Sequence, residues 1–470
     1  AEVAFTDANN KKGLQLGAQV EMAEGGTRVH LTPEKAIVAY REFIINPDNF
    51  VFWGDDRRLK ANVSLLADDG TSLMLHAEEP DSIYNNDISV EINRLNLGEL
   101  ASVLPYLPPV SGILNADFHI VEQDNQFSAV GMAEARKFAY QGVEMGNLGA
   151  ELSYQPTKDG DHKADAFITF NGTEVAEASG TYYAKGEGSF AGNVKLKSLP
   201  LSMMDAFLEG TQTKMKGALN GELTIVGTAD KPVINGTLTF DKAHLYSHVY
   251  GVDLTLASQP VEIHNSLIQL KDFALTTVDG SPLKMSGVIN MERPEAVFLN
   301  IDMIAKNFPV IDTKRKRESL VYGKVLTNFA ANVYGTPSKM TVRGLLTVLD
   351  QTDVTYLLTN SPISSGNDIS DLVTFTDFSD TLTAVAPVQQ QNSSSLNVAL
   401  TIRLRQGARF QCFLTPNGDS YVDVSGEGNL ELRMPPEGEM RLTGRLTLNE
   451  GKMNYELPVI PLRTFTLAPG

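Results

Sequence analysis

Apolar and polar residues alternate along much of the chain. Ile234, Gly236, Leu238 and Phe240 interleave with Asn235, Thr237 and Thr239. The same period recurs in Leu283, Met285, Gly287, Ile289 and Met291, and in Met340, Val342, Gly344, Leu346 and Val348. It returns from Leu396 to Leu404, from Val422 to Leu432 and from Met440 to Leu448. Side chains two apart share one face of a strand. Each set therefore predicts a half-buried β-strand whose opposite face of Thr, Asn, Asp, Glu, Lys and Arg meets water.

The pattern repeats on a longer scale. A mid-strand glycine followed by a basic and aromatic segment recurs at Gly131, Gly236, Gly344 and Gly444, roughly 100–110 residues apart. In step with it come Leu97-Gly98-Glu99-Leu100, Leu199-Pro200-Leu201-Ser202 and Phe308-Pro309-Val310-Ile311. Leu100 and Leu104 after the first, and Met204, Phe207 and Leu208 after the second, predict short helices. The third copy carries the charged run 312–318 instead. The period divides the chain into stretches 1–111, 112–216, 217–335 and 336–470. From 360 to 395 Ser, Thr, Asn, Asp and Gln dominate, which predicts a mobile loop with a short helix at Ile369–Phe375.

A sheet with one apolar face must bury that face. Helices are scarce, so the sheet must cover itself. Separate sandwiches need linkers every ~100–120 residues, and these repeats run strand into strand. The expected fold is all-β: a long, continuous, mostly antiparallel sheet of roughly 28 strands, each of ~8–10 residues, curled into an apolar groove. Gly236, Gly287, Gly344, Gly426 and Gly444 fall mid-strand on the apolar face, where glycine weakens a strand. Two reasons stay open for them. They let the sheet bend, or they leave free space in the groove for a ligand chain. On the second reason, Gly344→Leu blocks ligand uptake while the fold survives.

Composition narrows the function. The chain is 42% hydrophobic and 20% charged, as folded proteins are. Its net charge of −18 argues against nucleic acid and against electrostatic docking on anionic lipid. Cys412 is the single cysteine, so no intramolecular disulfide forms. No run of about 18 apolar residues suggests a membrane helix. The sequence opens at Ala1 without Met and is expected to be a piece of a longer chain.

Catalytic patterns are missing. The seven histidines form no His-Glu-x-x-His, and no Gly-x-Ser-x-Gly or Walker loop occurs. Asp55-Asp56, Asp68-Asp69 and Asp159-Gly160-Asp161 read as turns. Lys314-Arg315-Lys316-Arg317 reads as a solvated loop, with headgroup or acidic-partner contact as the alternative. Phe50-Val51-Phe52-Trp53 reads as core or edge packing in preference to carbohydrate stacking. No enzyme activity, metal or cofactor is expected.

Two segments share a strand-turn-strand form: Gly227-Thr-Ala-Asp-Lys-Pro232-Val-Ile-Asn-Gly236-Thr-Leu238 and Gly335-Thr-Pro337-Ser-Lys-Met340-Thr-Val-Arg-Gly344-Leu-Leu346. They resemble the repeating unit of the TamB/AsmA-like envelope family. Tyr356-Leu-Leu358, Asp371–Phe375 and Gly451-Lys-Met453-Asn-Tyr455-Glu-Leu457-Pro458 resemble the C-terminal region of TamB in its Bacteroidetes-type form. The likeness is strongest from about Gly217 onward. It implies a repeating β-groove (β-taco) that reaches from the inner towards the outer membrane through the periplasm. It also implies phospholipid acyl chains as cargo, an Omp85-class outer-membrane barrel (TamA-like) as partner, and nascent outer-membrane proteins as clients. The family's inner-membrane anchor is expected outside this chain.

The groove lining is then expected from Leu223, Ile225, Ile234, Leu238, Phe240, Leu283, Met285, Ile289, Leu299, Ile301, Phe329, Val342, Leu346, Leu400, Ile402, Val424, Leu430, Leu442 and Leu446, with ordinary core packing as the alternative for each. Three functions remain in play: a non-enzymatic lipid conduit, a scaffold that offers strand edges to outer-membrane β-proteins, and a β-helical polysaccharide enzyme or adhesin. The third expects repeats of ~20–30 residues.

Overall fold

The computed structural model describes residues 2–7, 10–77, 84–104, 107–186, 188–208, 213–293, 296–315, 319–358, 396–415, 418–436, 440–457 and 460–470. The loop expected at 360–395 and the helix within it lie outside these residues. The chain is all-β, with 29 described strands in one hydrogen-bonded, mostly antiparallel sheet. Contacts divide it into two compact units, residues 1–243 with 260–266, and residues 244–259 with 267–470.

The first unit holds β1 (Glu2–Thr6), β2 (Lys12–Ala23), β3 (Gly26–Val38), β4 (Arg41–Ile45), β5 (Phe50–Gly54), β6 (Leu59–Leu66), β7 (Ser72–Ala77) and β8 (Asn86–Asn96). It continues with helix α1 (Leu97–Val103), β9 (Val110–Gln123), β10 (Gln126–Tyr140), β11 (Val143–Pro156), β12 (His162–Phe170), β13 (Thr173–Tyr183) and β14 (Ser189–Pro200). A 3₁₀ turn (Leu201–Phe207), β15 (Thr213–Thr228), most of β16 (Lys231–Ser247) and, further along the chain, β18 (Val261–His264) complete it. The two short helical pieces stand where the sequence places them. Asn96 caps α1, its side chain accepting from the N–H groups of Gly98 and Glu99.

The second unit takes the end of β16, then β17 (Val252–Leu256), β19 (Leu267–Thr277), β20 (Pro282–Asn290), β21 (Phe298–Thr313), β22 (Val321–Thr336), β23 (Lys339–Val348) and β24 (Asp353–Leu357). It ends with β25 (Leu396–Leu404), β26 (Arg409–Phe413), β27 (Tyr421–Met434), β28 (Arg441–Leu457) and β29 (Ile460–Leu467). Among the described residues two pairings are parallel, β23 with β25 and β24 with β26. Several strands reach 14–17 residues, longer than expected, because they run through a bend without stopping.

The bend is built from β-bulges. The register slips between Ile92 and Leu95, Ala135 and Phe138, Leu196 and Leu199, Leu270 and Phe273, and Ala305 and Phe308. At each slip one residue adopts a positive φ: Arg94, Lys137, Ser198, Asp272 and Asn307. That conformation turns the N–H away from its ladder partner, and a side chain on the neighbouring strand captures it. Asn115, Asn147, Asn220 and Asn328 accept from Arg94, Lys137, Ser198 and Asn307 at 2.7–3.0 Å. Ser286 does the same for Asp272 at 3.1 Å.

Burial concentrates along this line. In the second unit Phe308, Thr327, Val348, Leu404 and Ala408 are buried. One cluster joins residues before the bend (Leu346, Ile402, Leu430) to residues beyond it (Val354, Phe410) through Val325, Val348, Leu404 and Ala408. The sheet therefore folds over onto itself there. In the first unit the tightest packing lies nearer the start, around Ala36, Phe43, Ile45, Val63 and Leu65.

Candidate functional site

The alternating residues meet in register across many strands. In the second unit one row reads Leu275, Leu283, Ala305, Phe329, Leu346, Ile402, Leu430 and Gly444 from β19 to β28. The next reads Phe273, Met285, Met303, Ala331, Gly344, Leu400, Leu432 and Leu442. Two further rows are equally apolar: Leu270, Gly287, Ile301, Val333, Val342, Val398, Met434, and Ile268, Ile289, Leu299, Gly335, Met340, Leu396. No row carries a charge or a hydroxyl. The row one step around is Ser286, Asp302, Asn332, Arg343, Ala399, Arg433 and Arg441, on the opposite face.

Most of these apolar side chains are only half-buried. Leu283 and Ala305 are buried, while Met285, Ile289, Leu299, Ile301, Phe329, Val342, Leu346, Leu400, Ile402 and Leu430 keep part of their surface open. Leu442 and Leu446 are 56% and 41% exposed. A sealed core leaves such residues with almost none. Beyond the bend a second apolar set follows, Val354, Phe410, Val424, Gly451 and Leu467, with Tyr356, Cys412, Val422, Met453 and Phe465 beside it. Of the expected lining residues in this unit, Val424 belongs to this second wall.

The first unit has the same construction with smaller side chains. One row reads Val63, Leu75, Val90, Phe118, Gly131, Leu152, Ala166, Ala178, Val194 and Leu223. Its neighbour reads Leu65, Leu73, Ile92, Ala116, Ala133, Ala150, Ile168, Ala176, Leu196 and Gly221. Ile225 lies in the next row, opposite Gly192, and Leu238 lies opposite Val261. Ile234 and Phe240 share strand and parity with Leu238 and are half-buried. The sequence reading named no lining residue before Leu223. Ala133, Ala150, Ala166 and Ala178 carry little hydrophobic signal alone, and only their strict spacing marks the face.

The mid-strand glycines do not open space. A Cβ on Gly344 would lie 2.6 Å from Ala331 Cα and against the Ala330 carbonyl. A Cβ on Gly287 would lie 2.8 Å from Ile301 Cα and meet the Asn300 carbonyl, and the φ of Gly287 is 153°. Gly236, Gly426 and Gly444 likewise abut the neighbouring strand's backbone. The expectation of free space for a ligand at these glycines is corrected: the neighbouring strand's backbone occupies it. Gly131, Gly236, Gly344 and Gly444 each precede a break by five or six residues, at Lys137, Lys242, the interruption after Val348, and the extra residue Asn449.

Electrostatics add little inside the trough. Arg409 and Asp423 form a bidentate pair at 2.8 and 2.5 Å, and this pair holds the Asp423 carboxyl below its usual range. Burial pushes the Cys412 thiol up. Arg315 stacks over the Tyr322 ring, and Trp53 is exposed on β5. Asp159-Gly160 forms the expected tight turn, closed by Thr157 N–H to Asp161 O. Among the described residues no group of three or more His, Cys, Asp or Glu could hold a metal, and no helix is long and apolar enough to cross a membrane.

No curated protein and no solved structure matches the chain. Residues 271–470 match the family model described as TamB C-terminal domain, and this part of the chain is similar to that domain.

Proposed function

We propose that the chain is a non-enzymatic hydrophobic conduit for phospholipids, working in the periplasm between inner and outer membranes as part of a translocation and assembly module. The observation that carries this reading is the set of uninterrupted apolar rows, half-exposed over eight strands of the second unit and about ten of the first. Burying an acyl chain releases roughly 0.8 kcal/mol per CH₂, so crossing water unaided is prohibitive. A trough that keeps the chain apolar at every step removes that barrier. The match to the TamB C-terminal domain supports an envelope role. The anchor in the inner membrane belongs, on this reading, to a segment outside the chain.

Mass spectrometry of the gently purified protein tests it. Phospholipid should co-purify with the wild type and be lost from Leu400→Asp and Leu238→Asp. Protein without lipid, or variants that retain it, would sink the conduit.

A second reading has its own observation. Residues Arg441–Thr447 of β28 pair with β27 on one side, whereas β29 pairs only from Gly451 onward. Among the described residues their other edge has no strand partner. Such an edge suits β-augmentation by an Omp85-class barrel or a nascent outer-membrane strand. Crosslinks from Thr443 and Arg445 to client strands, with no lipid on the apolar face, would favour it over the conduit.

A further inference from the structure

The outer face of the first unit carries a cluster of exposed apolar side chains set among carboxylates. Across β8 to β13 the residues directly opposite one another are Glu91, Asp117, Met132, Glu151, Phe167 and Glu177. Carboxylates and apolar side chains thus alternate from β9 to β13. Val130, beside Met132, is 50% exposed, Met132 58% and Phe167 41%. These three, with Asp117, His119 and Glu151, line a shallow depression of about 380 Å³.

The charges there are uncompensated. Farther along the same row Glu177 pairs with Lys197, and Lys195 with Glu222. Glu134 pairs with Arg136 nearby. Glu91, Asp117 and Glu151 have no ion-pair partner among the described residues. Glu91 and Asp117 even face each other across neighbouring strands, an arrangement that destabilises a sheet. Exposed apolar side chains and unpaired like charges in one patch are both unfavourable for the chain alone, and one partner relieves both.

We propose that this outer face is a docking surface for a cationic amphipathic helix of a partner protein. Carboxylates on every second strand stand about 9.6 Å apart. Side chains seven apart on a helix stand about 10.5 Å apart. A helix laid across β9–β13 therefore sets lysines or arginines one heptad apart over Asp117 and Glu151. Its apolar residues, one turn along, cover Met132 and Phe167. The site is independent of the trough, which lies on the opposite face.

The test uses the full chain and a fluorescent helical peptide of about five turns, with lysines one heptad apart and leucines between them. The expected result is binding that weakens as salt rises and falls by roughly tenfold or more in Met132→Asp and in Glu151→Lys, with Leu400→Asp unchanged. Glu151→Lys should gain affinity for the same peptide with glutamates in place of lysines. Circular dichroism checks that the variants are folded, and the two exposed positions give independent readings. Three results overturn the proposal: no binding to the wild type, binding that both outer-face variants retain, or binding lost only in Leu400→Asp, which would place the peptide in the trough.

Discussion

Asn307 on β21 donates its backbone N–H to the side-chain oxygen of Asn328 on β22 at 2.7 Å. Asn307 has a φ of 49°, which takes its N–H out of the ladder, and Asn328 supplies the acceptor that the ladder no longer does. The next residue, Phe308, enters the buried line at the bend, and the Thr327 hydroxyl donates to the Phe308 carbonyl at 3.2 Å. One amide side chain thus satisfies the N–H that the turn of the sheet takes out of the ladder.

Asn328→Ala removes that acceptor and leaves the exposed N–H to water. The expected cost is about 0.5–1.5 kcal/mol, read as a lower urea midpoint. A Thr401→Ala variant, exposed on the same face but away from the bend, should shift the midpoint far less. Equal shifts would contradict the bend's dependence on the amide.

Gly287→Ala and Gly344→Leu should destabilise the protein and not merely narrow the trough. At Gly287 the sparsely populated φ costs on the order of 1–3 kcal/mol before any clash. At Gly344 the added side chain meets the Ala330–Ala331 backbone. Chemical denaturation checks both. A Gly344→Leu variant of unchanged stability that excludes lipid would restore the free-space reading.

The Arg409–Asp423 pair predicts an acid-side loss of stability. Arg409 lowers the folded-state pKa of Asp423 through the paired hydrogen bonds. Its contribution is therefore complete above the unfolded value of about 3.9 and lost as pH falls through the lower folded value. Asp423→Asn should be less stable at neutral pH, and its melting temperature should fall less steeply below about pH 4. Parallel acid limbs in the two proteins would count against the pair.

Strand positions and the apolar face were legible because period two survives in nearly every strand, as in Leu283, Met285, Gly287 and Ile289. The bend was not. Its marks are short polar-then-apolar steps, Lys271-Asp272-Phe273 and Lys306-Asn307-Phe308, which look like ordinary alternation until the register shows the extra residue. The repeat at Gly131, Gly236, Gly344 and Gly444 was visible, and the structure assigns it to the approach to each break. The parallel pairings of β23 with β25 and β24 with β26 follow a connection of some forty residues, and no local pattern announces such a return. The middle of the first unit's face, from β9 to β13, was missed because Ala116, Gly131, Ala133, Ala150, Ala166, Ala176 and Ala178 dilute its pattern, whereas from Leu223 onward Leu, Ile and Met carry the signal.

Photo-crosslinking by strand parity tests the conduit most directly. A benzophenone side chain placed in turn at Met285, Leu400 and Ile402, and at their opposite-face neighbours Lys284, Thr401 and Arg403, is irradiated in cells. Phospholipid adducts are predicted at the first three positions and not at the second three. Adducts on both faces alike, or on neither, would contradict a lipid-bearing trough.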